Sequence, residues 1–214
     1  MLTPPFVIKV CGITTPGDAL DAAAAGATAL GFNFYPSSPR YVEPSSLAAW
    51  IDETPQGVLR VGVFVNTPAG EVLHTVARCR LHVAQLHGEP AAVPVRTWLA
   101  RSVDANFHPA ELTGQAEAWL LDAPAGAMHG GTGRVFDWSL ARGLRSPVVL
   151  AGGLDASNVA RAIEMVRPWG VDACSRLESS PGRKDRARVE AFVAAAREAA
   201  RALAPSTQPG AVNG

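Results

Sequence analysis

Short apolar runs rich in β-branched and aromatic residues recur along this 214-residue chain, and segments with helical periodicity lie between them. Eight such runs are candidate strands, at 6–11, 29–34, 60–65, 82–87, 97–103, 118–122, 148–151 and 170–174. Helix-compatible patterns cover 16–25, 45–52, 69–80, 156–166 and 185–203. This alternation indicates parallel strands covered by helices, and eight units predict closure into a (β/α)8 barrel.

The length of the chain limits how complete the helices can be. Barrels of this kind typically have about 250 residues, with roughly 200 as the lower limit, so we expect some abbreviated helices. The interval between the fourth and fifth candidate strands has room for little more than one turn. We predict one barrel domain over 1–203 and a disordered tail over 204–214, where Pro, Ser, Gln and Gly occur without periodicity.

The charge balance limits the partners of the chain. Nineteen Lys and Arg residues balance 19 Asp and Glu residues, so no net field favours nucleic acid or an anionic membrane. We find no membrane span and no basic-then-apolar leader. The three cysteines, Cys11, Cys79 and Cys174, have no C-x-x-C spacing, which favours reduced thiols and suggests no metal. We expect a cytosolic monomer or homodimer.

Chemistry in a closed parallel barrel takes place at the carboxyl ends of the strands. The first run ends in KVCGIT, where alternation places Lys9 and Cys11 on the inward face. A free cysteine is usually a small buried hydrophobic residue. It becomes a competent base when a cation such as Lys9 lowers its pKa from roughly 8.5. Asp122 ends the sixth run, where burial favours a general acid. The alternative is an aspartate that caps the next turn.

The loop after the seventh run has features of an anion site. Its sequence is LAGGLDASN, in which Gly152 and Gly153 allow close approach of the backbone. Asp155 is placed to cap a helix that begins at Ala156, and such a helix start offers backbone N–H groups to a phosphate. Phosphate sites recur after strands seven and eight of barrels, so we predict one here.

Three further loops carry polar candidates. Arg40, in FYPSSPRYV, can hold a carboxylate bidentately, or it is a solvated surface cation. His87, in QLHGE, either faces a ligand at the barrel mouth or is a hydrogen-bonded structural histidine. The glycine-rich segment 130–133, beside His129, is a lid over the mouth or a simple loop in which Asp137 caps a short helix.

Seven segments, in order, resemble the strand-end signatures of the phosphoribosylanthranilate isomerase family, from about residue 8 to residue 192. They are KVCGIT, GFNFYPSSPRYV, QLHG, LLDA, GGTGRVFDW, LAGGLDASNV, and VDACSRLE with PGRKD. The resemblance implies an enzyme of tryptophan biosynthesis with the (β/α)8, or TIM, barrel fold. Its substrate would be N-(5-phosphoribosyl)anthranilate, converted by an Amadori rearrangement to 1-(2-carboxyphenylamino)-1-deoxyribulose 5-phosphate without a cofactor.

The resemblance also implies roles for individual residues. Cys11 would be the general base and Asp122 the general acid. Arg40 would hold the anthranilate carboxylate, and Asp172 would lie near the sugar hydroxyls. Gly153 and the turn Ser175–Arg176 would help to hold the phosphate. From their positions at strand ends, we also expect Gly152 to bind the phosphate and His87 to bind the substrate.

The segment CSRLE departs from the family pattern. Many members have glycine where this chain has Arg176, and Cys174 replaces a common small polar residue. If the backbone φ at Arg176 is negative, its amide can point at the phosphate and its guanidinium adds a charged contact. A positive φ would instead strain the arginine. We favour the first account.

Two other functions remain as alternatives. One is the aldose isomerase of histidine biosynthesis, which has the same barrel type and performs the same chemistry with an aspartate as the first-strand base. Cys11 argues against it, as does the lack of a second phosphate site in the sequence. The other is a catalytically silent phosphosugar-binding barrel, which the presence of both Cys11 and Asp122 opposes.

Overall fold

A closed barrel of eight parallel strands is the centre of the computed structural model, which describes residues 6–89, 92–124 and 135–203. Each strand pairs with the next, and the eighth pairs with the first. The strands are β1 (Val7–Cys11), β2 (Ala29–Asn33), β3 (Leu59–Val65), β4 (Val83–His87), β5 (Thr97–Ser102), β6 (Ala118–Asp122), β7 (Val148–Leu150) and β8 (Gly170–Ala173). The predicted barrel is confirmed, and each predicted strand end lies within one residue of the observed end.

The outer layer of helices is incomplete, as the chain length predicted. Its helices are α1 (Pro16–Ala25), α2 (Pro44–Trp50), α3 (Ala69–Arg78), α4 (Val159–Val166) and α5 (Arg186–Leu203). The described residues between β4 and β5 contain no helix. Short 3-10 turns, Pro109–Glu111 and Trp138–Ala141, follow β5 and β6.

Two apolar layers hold these elements together. Inward-facing side chains such as Val7, Trp98 and Leu120 form one cluster inside the barrel. Alternate residues, such as Ile8 and Val10, join the larger cluster between strands and helices. Because alternation along β1 turns Val7 inward, it also turns Lys9 and Cys11 inward, as predicted.

The start of α4 differs from the prediction. The prediction that Asp155 caps a helix beginning at Ala156 is wrong, because α4 begins at Val159 after the cap residue Asn158. The Asp155 carboxylate accepts hydrogen bonds from the backbone N–H and the hydroxyl of Ser157. Such a local side-chain turn competes with helical hydrogen bonding, so the helix starts three residues later.

A small hairpin after β8 was not predicted. A 3-10 turn, Ser175–Leu177, leads into two antiparallel strands, β9 (Glu178–Ser180) and β10 (Arg183–Lys184). Strands of three and two residues are too short to show a periodicity in sequence. The hairpin places Glu178 and Lys184 beside the barrel.

Of the predictions made for the loop after β6 and for the tail, the structure describes only the cap at Asp137. Asp137 caps the turn Trp138–Ala141 by accepting a hydrogen bond from the backbone N–H of Ser139, as one interpretation predicted. The glycine-rich segment 130–133 with His129, and the tail 204–214, lie outside the described residues.

Candidate active site

A buried ion pair between β1 and β8 forms the base of the site. The Lys9 ammonium donates a hydrogen bond to Oδ2 of Asp172 at 2.9 Å, and the Lys9 side chain is fully buried. The strand register places these two residues opposite each other, so the pairing of β1 with β8 holds the contact. Oδ1 of Asp172 is buried and has no hydrogen-bond partner among the described residues. It remains available to accept a hydrogen bond from a ligand hydroxyl.

The charges of this pair depend on burial and on the neighbouring thiol. Burial lowers the pKa of Lys9, but the charge of Asp172 and the Cys11 thiol outweigh this effect, so the pKa is raised. Burial raises the pKa of Asp172, and the charge of Lys9, 2.9 Å away, opposes that rise and favours the carboxylate. Lys9 therefore carries a persistent positive charge beside Cys11.

Cys11 is a buried thiol with 8% of its surface exposed. A side-chain hydrogen bond from Cys174 lowers its pKa well below the usual value; burial opposes the shift, and the charge of Lys9 adds to it. The same hydrogen bond, together with burial, raises the pKa of Cys174. The thiolate is therefore favoured on Cys11 over Cys174. The predicted effect of Lys9 is present, while the larger contribution of Cys174 was not predicted.

Asp122 shows the opposite shift. Burial raises its pKa to about 6, although the backbone N–H of Ala123 bonds to its carboxyl group and lowers the pKa. Gly152 packs against this carboxyl group with a φ of 86°, and a Cβ there would lie 2.8 Å from the Ala123 nitrogen and 3.0 Å from Oδ1 of Asp122. Only glycine fits this conformation and this space, so the turn after β7 can enclose the carboxyl group.

Arg40 already holds a carboxylate within the protein. Its Nε and Nη2 atoms donate to Oε1 and Oε2 of Glu178, each at 2.8 Å. Lys184 donates to Oε1 of Glu178 at 2.9 Å, and the three side chains are 11% exposed or less. Burial raises the pKa of Glu178, but the hydrogen bonds from Arg40 and Lys184 outweigh it, so the pKa is lowered. Nη1 of Arg40 makes no hydrogen bond to the described residues, and this is the edge that remains for a ligand.

The turns after β7 and β8 lie side by side. Nη1 of Arg176 and Oδ2 of Asp155 are 3.0 Å apart and join the two turns. Arg176 is not among the described residues with positive φ, so its backbone does not have the conformation that would strain an arginine; its contact with a phosphate stays a prediction. A cavity of about 770 Å³ lies against these turns and is lined in part by Ser157, Ser175 and Arg188.

His87 lies at the end of β4, where the Gln85 amide nitrogen is 2.8 Å from its Nε2 atom. Both side chains point inward, because residues two apart on a strand share a face. Gln85, Glu178 and Lys184 were not identified from sequence as site residues. Alternation from His87 could have found Gln85, and the other two lie within the LE and PGRKD segments already noted.

The part of the chain that the structure describes contains neither a metal-binding cluster nor a membrane-spanning helix. No three His, Cys, Asp or Glu side chains in 6–89, 92–124 and 135–203 cluster closely enough to hold a metal ion. In the same part of the chain, no helix has both the length and the apolar character needed to cross a membrane.

A closed eight-stranded barrel with an inward thiol and an inward carboxyl group at the carboxyl ends of its strands has the architecture of a (β/α)8-barrel enzyme. The family model for N-(5'phosphoribosyl)anthranilate (PRA) isomerase matches residues 8–195. The chain therefore belongs to this isomerase family, and the resemblance noted from the sequence is confirmed.

Individual relatives agree with this assignment. The chain is 51% identical to N-(5'-phosphoribosyl)anthranilate isomerase of Solibacter usitatus over 201 residues, which cover 91% of this chain and 98% of the relative. It is 44% identical to the enzyme of the same name from Magnetococcus marinus, covering 90% of this chain and 95% of the relative.

Solved structures show the same similarity. Phosphoribosyl anthranilate isomerase from Thermotoga maritima aligns with a TM-score of 0.80 at 35% identity, covering 90% of this chain and 99% of that chain. A phosphoribosyl anthranilate isomerase solved with reduced 1-(o-carboxyphenylamino)-1-deoxyribulose 5-phosphate aligns with a TM-score of 0.75 at 33% identity and the same coverage.

Proposed function

We propose that this protein converts N-(5'-phosphoribosyl)anthranilate to 1-(2-carboxyphenylamino)-1-deoxyribulose 5-phosphate in tryptophan biosynthesis. One observation carries the proposal. Two inward groups at the barrel mouth have pKa values shifted in opposite directions: the pKa of Cys11 is lowered and that of Asp122 is raised. When the surroundings of two titratable groups move their pKa values apart in this way, the group with the lowered pKa is suited to act as a base and the group with the raised pKa as an acid. The names of the relatives and the product-like ligand of one similar structure support this substrate.

Asp122 acts first in the proposed mechanism. Its protonated carboxyl group donates to the furanose oxygen of the substrate, and the C1′–O bond opens to give an iminium ion. The Cys11 thiolate then removes the proton from the adjacent C2′ carbon. The enolamine that forms tautomerises to the product. The nitrogen of the substrate accepts the electron pair, so the chemistry requires no metal, nicotinamide or pyridoxal group.

The neighbouring residues prepare these groups for their roles. Lys9 stabilises the Cys11 thiolate through its charge, and Cys174 does so through its hydrogen bond. Each of the two reacting groups is expected to contribute about 10²–10⁴-fold to the rate.

Substrate binding uses groups around the same mouth. The Nη1 edge of Arg40 would meet the anthranilate carboxylate, and Oδ1 of Asp172 would accept a hydrogen bond from a sugar hydroxyl. His87, at the end of β4, would contact the substrate from the side of the barrel opposite β8. Four residues of the turns after β7 and β8 would hold the phosphate: Gly152, Gly153, Ser175 and Arg176. A cytosolic location and a monomeric or homodimeric state also remain predictions.

Turnover by the purified protein tests the proposal, with loss of the fluorescent anthranilate substrate as the signal. Cys11→Ala and Asp122→Asn should each lower kcat by at least about 10²-fold. Cys79→Ala and Asp137→Asn are matched controls, since one is a buried cysteine of the outer core and the other caps an exposed turn. Both controls should retain activity. A wild-type protein without turnover would overturn the function, and near-normal kcat in either site variant would remove that residue from the mechanism.

A further inference from the structure

Two of the three cysteines lie side by side at the barrel mouth. The β1–β8 register pairs Val10 with Ala173, and its continuation by one residue sets Cys11 opposite Cys174. Neighbouring strands are about 4.8 Å apart, and disulfides join Cα atoms separated by about 4.4–6.8 Å. Continued by one residue beyond the end of β8, this strand spacing falls in the range that a disulfide requires.

The side chains are also turned toward each other. The two thiols are close enough for each to shift the pKa of the other. A Cβ atom on Gly12, the residue after Cys11, would lie 2.9 Å from the Sγ atom of Cys174. The Cys174 side chain therefore lies over the end of β1.

The surrounding charges favour reaction at Cys11, because Lys9 lies beside it. The Lys184 ammonium and Oε1 of Glu178 are each 3.9 Å from the Sγ atom of Cys174, so their charges oppose each other there. Cations stabilise thiolates, and the thiolate is the form of cysteine that attacks peroxides and disulfides. Cys79, in contrast, is fully buried in the outer core, where its thiol donates a hydrogen bond to the carbonyl of Pro44 at 3.3 Å.

We propose that Cys11 and Cys174 form a redox pair that a peroxide closes to a reversible disulfide. The Cys11 thiolate attacks hydrogen peroxide; an S–O bond forms, the O–O bond breaks, and hydroxide leaves as Cys11 becomes a sulfenic acid. Cys174 gives its proton to hydroxide and attacks the Cys11 sulfur. The S–S bond forms as the S–O bond breaks, and a second hydroxide leaves. Two thiol sulfurs are thereby oxidised by two electrons, and the peroxide is reduced.

The consequence for activity rests on the proposed function, because the disulfide would occupy the general base. Activity should fall by at least about 10²-fold, the lower end of what a general base contributes. A dithiol reductant would restore it. Cys174 would also protect the base, since a sulfenic acid that finds no thiol is oxidised further to an irreversible sulfinic acid.

The test treats the purified protein with hydrogen peroxide, then with dithiothreitol, and follows both activity and the cysteine peptides by mass spectrometry. Each variant is compared with its own untreated activity. Wild type and the control Cys79→Ser should lose activity, contain a Cys11–Cys174 cross-linked peptide, and recover with dithiothreitol. Cys174→Ser should lose activity, contain Cys11 sulfinic acid, and not recover.

The outcomes separate this proposal from the proposed function. Loss of activity in wild type without the cross-linked peptide would overturn the redox pair, as would equal recovery of wild type and Cys174→Ser. A cross-linked protein that keeps full activity would support the redox pair and contradict the role of Cys11 as the base. The wild-type peptide map decides the question even if Cys174→Ser does not fold.

Discussion

Asparagine in place of Asp122 keeps the shape of the side chain and removes its charge. In the folded protein, burial raises the pKa of Asp122 from 3.8 to about 6. A shift of one pKa unit corresponds to about 1.36 kcal/mol. The shift of about two units therefore corresponds to an upper limit of about 3 kcal/mol, because the side chain keeps some contact with solvent.

The sign of the change in stability with pH follows from proton linkage. Since the folded pKa is raised, the unfolded chain loses this proton at lower pH than the folded protein does. The contribution of Asp122 to stability therefore falls as pH rises from about 4 to about 6. The asparagine side chain cannot ionise, so the Asp122→Asn variant should gain up to about 3 kcal/mol relative to wild type across this window, while kcat falls.

Urea unfolding at a series of pH values from about 4 to 8 measures this difference. Asp137→Asn is the control, because hydrogen bonds from Ser139 lower the pKa of that exposed aspartate. Its contribution to stability is lost only below about pH 4, so the difference between this variant and wild type should stay constant over the measured range. The difference in unfolding free energy at low pH reports the amide contacts alone, and its change with pH reports the ionisation. A difference between wild type and Asp122→Asn that stays constant with pH would refute the reasoning.

Four other predictions concern the same site. Arg40→Ala should weaken substrate binding by about 1.5–3 kcal/mol, seen mainly as a higher KM. Glu178→Gln leaves two buried cations without their carboxylate and should lower the unfolding free energy in urea by about 3–5 kcal/mol. Arg176→Gly should raise KM; a variant that melts higher and keeps its affinity for substrate and inorganic phosphate would contradict the role given to Arg176. The plot of kcat/KM against pH should be bell-shaped, falling on the basic side near pH 6 as Asp122 loses its proton and on the acid side as Cys11 gains one; a flat profile with chemistry rate-limiting would count against this pair.

The barrel could be predicted from sequence because each strand carries its own signal. Apolar alternation and strand-ending polar residues are local features, and they located Cys11 and Asp122 at the ends of β1 and β6. The start of α4 was placed too early because two local motifs compete there, and the turn at Asp155 forms in place of a helix cap.

Contacts between distant segments were harder to predict. Arg40 and Glu178 are 138 positions apart, and nothing in either segment indicates that one side chain binds the other. The approach of Cys174 to Cys11 could have been predicted more easily, because alternation along β8 turns Asp172 inward, Cys174 follows just beyond the end of β8, and closure of the barrel places β8 beside β1. Its effect on the pKa of Cys11 depends on a hydrogen bond that only the folded geometry provides.

The pair of hydrogen bonds between Arg40 and Glu178 has a consequence for substrate selection. An arginine side chain carries about 2 kcal/mol of rotamer entropy, and here that freedom is lost during folding, before any substrate arrives. A guanidinium fixed in this way offers one edge at one position, so binding requires little further ordering. An aromatic acid whose carboxylate is moved to another ring position would meet this rigid edge at the wrong distance from the phosphate-binding turns, and discrimination among such acids would come from their geometry rather than from their charge.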